Sequence, residues 1–383
     1  MDASPDRPLV ACYRLRVAAG QVEARAEALQ LEQTVELPRE ALGDRPDERR
    51  ALGRTETIEP DPEGGFRVRI AYPAEASAYE PAQLVNLLFG NSSLHRDVEL
   101  IDVDLPPSLL ARLDGPGVGL EGIRRACDAR ERPLSCAALK PLGLGPEALA
   151  ERAALFARAG IDCVKDDHSL ADQPFCPYEA RVRACQAAIE AANRVTGHRT
   201  VYAPNVTGTP SRIRRQLELA SALGIRAVLM SPMVVGLPSF FEAVRVGRDA
   251  PEPIAVLAHP ALAGSGGIAP GVLLGTLFRA LGADAVIYPH AGGRFAFSER
   301  QCLDLASRLR RPWSGLRPAL PVPAGGMSVE RAPELIRLYG RDVMLLIGGS
   351  LYSAGREIED RSRAFASAVA RAVAPEMPTG ARA

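Results

Sequence analysis

The sequence predicts two folds in series: an α+β, ferredoxin-like N-terminal domain over residues 1–116, then a (β/α)8 TIM barrel over 117–383. Three observations predict this. The chain has 383 residues, beyond the roughly 250–300 at which one hydrophobic core stops growing. Its first part mixes alternating strand patterns with two helical ones. From Pro133 onward, eight short apolar runs recur, each followed by an amphipathic helical stretch, the rhythm of an eight-stranded barrel.

The elements follow in order. Ala11–Val17 and Gly65–Ala71 alternate like strands, with Phe66, Val68 and Ile70 set against Arg67 and Arg69. Gln21–Gln30 reads as a helix, and the charged, Pro-punctuated Arg45–Pro62 as a surface loop. Pro81–Phe89 is a second helix and Val98–Leu105 a further strand. Strands mixed with two helices give the small α+β sandwich. The barrel runs are Leu134–Leu139, Ile161–Val164, Thr200–Ala203, Ala227–Met230, Ile254–Ala258, Ala285–Tyr288, Leu320–Pro323 and Val343–Ile347. Between them, Pro146–Ala159 and Tyr178–Val195 show helical spacing. Gly160, Gly224 and Gly282 stand where a left-handed residue ends a helix. Eight units favour a closed barrel over an open doubly wound sheet.

Composition narrows the class. Lys+Arg and Asp+Glu both number 46, which argues against the basic excess of a nucleic-acid binder. No stretch approaches the ~18 apolar residues of a membrane span, and the polar start lacks signal-peptide form. A soluble, cytoplasmic protein is expected. The seven cysteines are scattered without a C-x-x-C pair and are expected as buried thiols.

A barrel builds its site from residues at the C-terminal ends of its strands. Those positions hold Lys140, then Lys165-Asp166-Asp167-His168, then Asn205, His259, His290, Gly325-Gly326 and Gly348-Gly349-Ser350. The chain has only two lysines, Lys140 and Lys165, and both stand here, while arginine supplies the other basic residues. A residue needed only for charge could have been arginine, so these positions point to a titratable amine. Glycine pairs after the seventh and eighth strands let backbone N–H groups approach a phosphate. The Lys165–His168 run gathers carboxylates and an imidazole within reach of a divalent cation. It also reads as a solvated turn in which Asp167 caps the next helix.

These residues resemble the RuBisCO large chain, in particular its RuBisCO-like (form IV) members. Gly160-Ile161-Asp162-Cys163-Val164-Lys165-Asp166-Asp167-His168 with Gln173-Pro174-Phe175 is similar to the family run that carries a carbamylated, magnesium-binding lysine. Leu139-Lys140-Pro141-Leu142-Gly143-Leu144 resembles the strand-1 motif whose lysine moves the substrate proton. Pro323-Ala324-Gly325-Gly326 and Ile347-Gly348-Gly349-Ser350 resemble the two phosphate loops. The resemblance implies Mg2+ on Lys165, Asp167 and His168, and a homodimer in which Glu32 and Asn91 reach a partner's site.

Departures from the family pattern bear on the activity. His168 stands in place of a metal-binding Glu, and the family's second strand-1 lysine is missing, its place taken by Leu142 or by a one-residue gap. Gly292-Gly293-Arg294-Phe295 replaces the loop whose lysine holds the carboxylate formed from CO2, and Pro260 follows His259 where carboxylases place an arginine. Carboxylation is therefore not expected. The expected function is enolisation of a sugar phosphate, of the 5-methylthioribulose-1-phosphate isomerase type. Decarboxylation of a branched oxo-sugar-acid phosphate and the diketo-methylthiopentyl-phosphate enolase reaction are alternatives; a non-catalytic phosphometabolite binder is the alternative of another class. Lys140 is the expected base, with Lys165 next if it stays uncarbamylated. Asn205 is expected to orient the substrate, His168, His259 or His290 to return the proton, and Arg294 to meet a carboxylate or phosphate tail.

Overall fold

A computed structural model describes residues 7–43 and 45–371. The chain divides into two compact units. The first holds the residues up to Gly115 together with Leu262–Gly282 and Pro312–Leu316. The second holds Pro116–Ala261, Ala283–Arg311 and the chain from Arg317.

The first unit contains an antiparallel sheet of β1 (Leu9–Leu15), β2 (Arg54–Pro60), β3 (Phe66–Tyr72) and β4 (Val98–Asp104), in the order β2-β3-β1-β4. Helix Val22–Glu32 connects β1 to β2 and helix Pro81–Phe89 connects β3 to β4. This is the ferredoxin-like arrangement. Central β1 is buried at every position. Its Arg14 is neutralised by Asp61, Glu63 and Glu99, each at 2.9 Å. Strand β2 corrects the expected loop over Arg45–Pro62. It lies at the sheet edge, pairs only with β3, and is exposed along most of its length. Edge strands carry charge that discourages further pairing, so this strand lacks the apolar alternation that marks the others.

The second unit is the barrel. Its parallel strands are β5 (Leu134–Leu139), β6 (Cys163–Asp166), β7 (Val201–Ala203), β8 (Ala227–Met230), β9 (Ala255–Ala258), β10 (Ala285–Pro289), β11 (Leu320–Ala324) and β12 (Met344–Ile347). Ladders run β12-β5-β6-β7 and β8-β9-β10-β11. A parallel bridge between Asn205 and Leu229 joins β7 to β8, and β11 runs beside β12. Cys136, Cys163, Leu229, Leu257, Ile287 and Leu346 belong to the interior cluster. Helices Pro146–Arg158 and Tyr178–Thr196 pack on each other. Gly160 and Gly224, at φ +82° and +68°, make the left-handed turns that end the helices before β6 and β8.

All seven cysteines are buried and free. Among the described residues, no helix is long and apolar enough to cross a membrane.

Candidate active site

The site begins where β5 ends. Tyr352, in the short helix Gly349–Tyr352 after β12, donates a 2.7 Å hydrogen bond to the Ala138 carbonyl. Its hydroxyl accepts one of 2.9 Å from the Lys140 N–H. This clasp fixes the backbone from which the partly exposed Lys140 side chain reaches the Asp167 carboxylate. A Cβ on Gly348 would lie 3.9 Å from Lys140 Cε, so the loop after β12 borders the same amine.

On β6 the pleat separates neighbours. Lys165 is 2% exposed, and its Nζ donates a 2.9 Å bond to the Asp166 carbonyl. Burial pushes its pKa down; Cys136 and Asp167 oppose the shift, and the Lys140 charge adds to it. The Asp166 carboxylate turns away instead. It accepts from Arg181 Nε at 3.0 Å, the Tyr202 hydroxyl at 2.8 Å and the Asn205 N–H at 3.0 Å. Asp166 is thereby a buried structural anion, which corrects its expected place beside a cation. Asp167, one residue on, holds the Ser169 N–H at 3.1 Å and caps no helix, since the next begins at Tyr178. Burial opposes its ionisation, but the Lys140 hydrogen bond and the Lys165 charge outweigh it and hold its carboxyl well below the usual range.

Two imidazoles face this group. His168 and His259 stack with ring centroids 4.1 Å apart and planes 12° apart. His168 Nδ1 lies 3.3 Å from Asp167 Oδ1. Burial, then the charge of Lys165, lowers the His259 pKa to about 2 against the opposing Asp167. Burial is also the main cause lowering that of His168. The Ala261 N–H donates to His259 Nδ1 at 3.2 Å, so the neutral ring carries its proton on Nε2.

Two expected participants are tied to neighbouring backbone. Asn205 donates from Nδ2 to the carbonyls of His168 (3.1 Å) and Leu170 (2.8 Å), so its amide secures the loop after β6. His290 is fully buried, with Nδ1 2.8 Å from the Ala291 carbonyl. Its Nε2 is enclosed and makes no well-formed hydrogen bond. The ring therefore lies in the wall beside the loop after β10, where a Cβ on Gly293 would come within 3.2 Å of its Nε2.

The glycine loops converge. Gly325 and Gly326 both take φ +85°. A Cβ on Gly293 would stand 2.1 Å from the Gly325 carbonyl oxygen, so the loop after β10 packs backbone to backbone on the loop after β11. The Arg294 N–H donates to that carbonyl at 3.2 Å, while the exposed Arg294 guanidinium sits 4.9 Å from the Phe295 ring centre. Ser350 Oγ donates to the Met327 carbonyl at 2.5 Å, tying the loop after β12 to that after β11. Gly349 and Ser350 open a helix, where N–H groups have no intrahelical partner. In the first unit, Asn91 Nδ2 donates to Glu32 at 2.9 Å and to Glu36 at 3.2 Å. Gln33 brings Asn91 beside Glu32 by accepting from the Ser92 N–H and hydroxyl.

Sequence reasoning missed Tyr352 and Arg331, whose guanidinium holds the Ala291 and Gly292 carbonyls at 3.2 Å. Neither stands at a strand end, and no local pattern marks either.

Residues 119–264 match the family described as ribulose bisphosphate carboxylase large chain, catalytic domain. The chain is 46% identical over 362 residues to ribulose bisphosphate carboxylase-like protein 1 of Rhodopseudomonas palustris, covering 94% of this chain and 97% of that one. This chain belongs to the RuBisCO large-chain family. Within it, the chain is 44% identical over 365 residues to the 5-methylthioribulose-1-phosphate isomerase of Rhodospirillum rubrum, covering 95% and 96%. A crystal structure of a Rubisco-like protein from Rhodopseudomonas palustris superposes with a TM-score of 0.88 at 44% identity, covering 95% and 98%.

The magnesium site implied by the RuBisCO resemblance was expected on Lys165, Asp167 and His168. These donors do not fit it as they stand. Magnesium demands a near-octahedral set of oxygens. Here one carboxylate, Asp167, is paired with the Lys140 ammonium, Lys165 offers an amine, and Asp166 is turned to Arg181. Among the described residues, no group of three His, Cys, Asp or Glu side chains is placed to hold a metal.

Proposed function

We propose that this RuBisCO-like chain isomerises a phosphorylated ketose by enolisation, as the name of its Rhodospirillum relative describes for 5-methylthioribulose 1-phosphate, and fixes no CO2. The observation that carries the reading is the buried Lys165 amine, its pKa pushed down, beside a fixed Lys140–Asp167 ion pair and a neutral His259. A neutral amine can take a proton from carbon next to a carbonyl. On this reading the base is Lys165, where the sequence favoured Lys140.

In this reading Lys165 Nζ removes the proton and leaves an enolate. The Lys140 ammonium and the His259 Nε2–H stabilise the negative oxygen as it forms, both held in place before reaction. The hydroxyl on the deprotonated carbon then passes its proton to the enolate oxygen, and return of the abstracted proton to the former carbonyl carbon completes the shift of the carbonyl along the chain. The substrate phosphate lies on the backbone of Gly325, Gly326, Gly348, Gly349 and Ser350, and Arg294 meets the outer anionic edge. The working form is a homodimer in which Glu32 and Asn91 complete the partner's site.

The test is solvent deuterium exchange into a panel of ketose phosphates that includes 5-methylthioribulose 1-phosphate. Exchange and isomerisation are expected in the presence of EDTA and without added bicarbonate. Absence of exchange with every phosphorylated ketose would overturn the reading. Exchange that required both Mg2+ and bicarbonate would give Lys165 to a carbamate and not to the base.

A further inference from the structure

The barrel has a second opening, at the N-terminal ends of its strands, and there a cavity of about 390 Å3 lies in the second unit. Its floor is made by Cys163, Val201, Ala227, Ala255 and Met344, the first residues of β6, β7, β8, β9 and β12, with Leu257 above them. The floor is under-filled because three of these strands begin on Cys or Ala. The helix that covers them, Gly119–Ala126, presents Gly122 and Ala126. Interiors are otherwise packed close to crystal density, and a void in apolar walls forfeits the contacts that an apolar occupant would restore.

The rim is cationic. Arg125 stands in the last turn of the covering helix, Arg199 two residues before β7, and Arg226 immediately before β8. No Asp or Glu lines this cavity. Arg226 is engaged by Glu252, whereas Arg125 and Arg199 have no side-chain hydrogen bond or ion pair among the described residues. A shallower recess of about 220 Å3 continues past Arg199 and Arg226 to Glu190, whose carboxylate accepts a 2.8 Å bond from Gln186. Two uncommitted guanidinium groups over an apolar floor match an oxyanion head on an apolar body, since the guanidinium fork suits carboxylate, sulfonate and phosphate oxygens. The volume falls within the roughly 300–1,000 Å3 of small-molecule pockets.

We propose that this mouth of the barrel is a binding site for a small organic anion with an apolar body, its head held by Arg125 and Arg199 and its body on the Cys163–Ala227–Ala255–Met344 floor. It is separate from the strand-end site, lying at the opposite ends of the same strands.

The probe is 8-anilinonaphthalene-1-sulfonate, whose fluorescence rises in apolar surroundings, titrated into the full-length protein at low salt. One saturable site is expected, displaced by octanoate and not by octanol. The double variant Arg125→Ala/Arg199→Ala should weaken it about tenfold or more. Ala126→Trp, which fills the cavity without altering charge, should weaken it as well. Both changes lie at the rim, and unchanged circular dichroism and melting temperature verify that the variants fold. No saturable binding, or an affinity within about twofold of the parent in the double variant, overturns the proposal.

Discussion

His168 and His259 lie face to face, ring centroids 4.1 Å apart, and both titrate below an ordinary histidine. Two protonated rings at this distance would repel, and Lys140 and Lys165 add to the cost. The folded state therefore holds His259 neutral down to about pH 2, whereas the unfolded chain takes up its proton near pH 6.5. The unfolded state binds more protons over that window, so stability is fully present above about 6.5 and falls as pH drops below it, by up to about 1.4 kcal/mol per unit. Melting temperatures measured from pH 7.5 to 5 should fall for the parent protein. They should fall less for His259→Gln, which has no proton to gain. Equal slopes would show that His259 titrates normally.

Lys165→Met should lower the rate of proton exchange by roughly 100- to 10,000-fold, the range for a positioned acid–base group. The amine acts when unprotonated, so exchange in the parent should rise with pH along a limb set by Lys165. The Lys140 charge helps hold the Lys165 pKa down. Lys140→Met should therefore move that limb to higher pH as well as slow exchange. A pH profile that stayed in place in Lys140→Met would break the electrostatic link between the two amines.

Neighbouring carboxylates should fail differently. Arg181 and Asp166 are both fully buried and paired at 3.0 Å, so Arg181→Met strands a buried anion at a cost of about 3–5 kcal/mol. A large loss of melting temperature is expected there. Asp167→Asn should leave the fold largely intact and depress exchange, because it releases the Lys140 ammonium. Similar melting losses for the two variants would contradict the separation of roles along β6.

The loops after β11 and β12 share one neutral hydrogen bond, Ser350 Oγ to the Met327 carbonyl. Ser350→Ala should raise KM for a phosphorylated substrate by about two- to tenfold, the equivalent of a net 0.5–1.5 kcal/mol, with little change in kcat. Gly293→Ala should do more harm, since its Cβ would stand 2.1 Å from the Gly325 carbonyl oxygen. Steady-state kinetics on both variants test the loops as one unit.

Much of the fold was legible because its signals are local. Helix Pro81–Phe89 has the predicted bounds: Pro81 starts it and Gly90 ends it. The eight barrel strands lie within two residues of their apolar runs. Strand β2 was illegible because an edge strand with solvent around it has no need of apolar alternation. At the site, Lys140, Lys165, Asp167, His168 and His259 come together at strand ends, while the backbone partners of Asn205 and His290 were not legible. Both stand at strand ends too, yet Asn205 spends its amide on the His168 and Leu170 carbonyls, and His290 is enclosed behind Gly293.

The sequence alone determined the eight-unit rhythm, the ends of the strands at which chemistry gathers, and the confinement of both lysines to those ends. Periodicity and glycine placement act over a few residues, so they can be read without the fold. Tertiary structure decided which of two adjacent aspartates faces the site, which lysine is buried so that its pKa is pushed down, and which tautomer His259 holds. Each of those depends on partners far away in sequence, Arg181 and Tyr202 behind Asp166, Cys136 beside Lys165, His168 stacked on His259. Desolvation and hydrogen bonding are fixed by what surrounds a group, and only the folded chain supplies those surroundings.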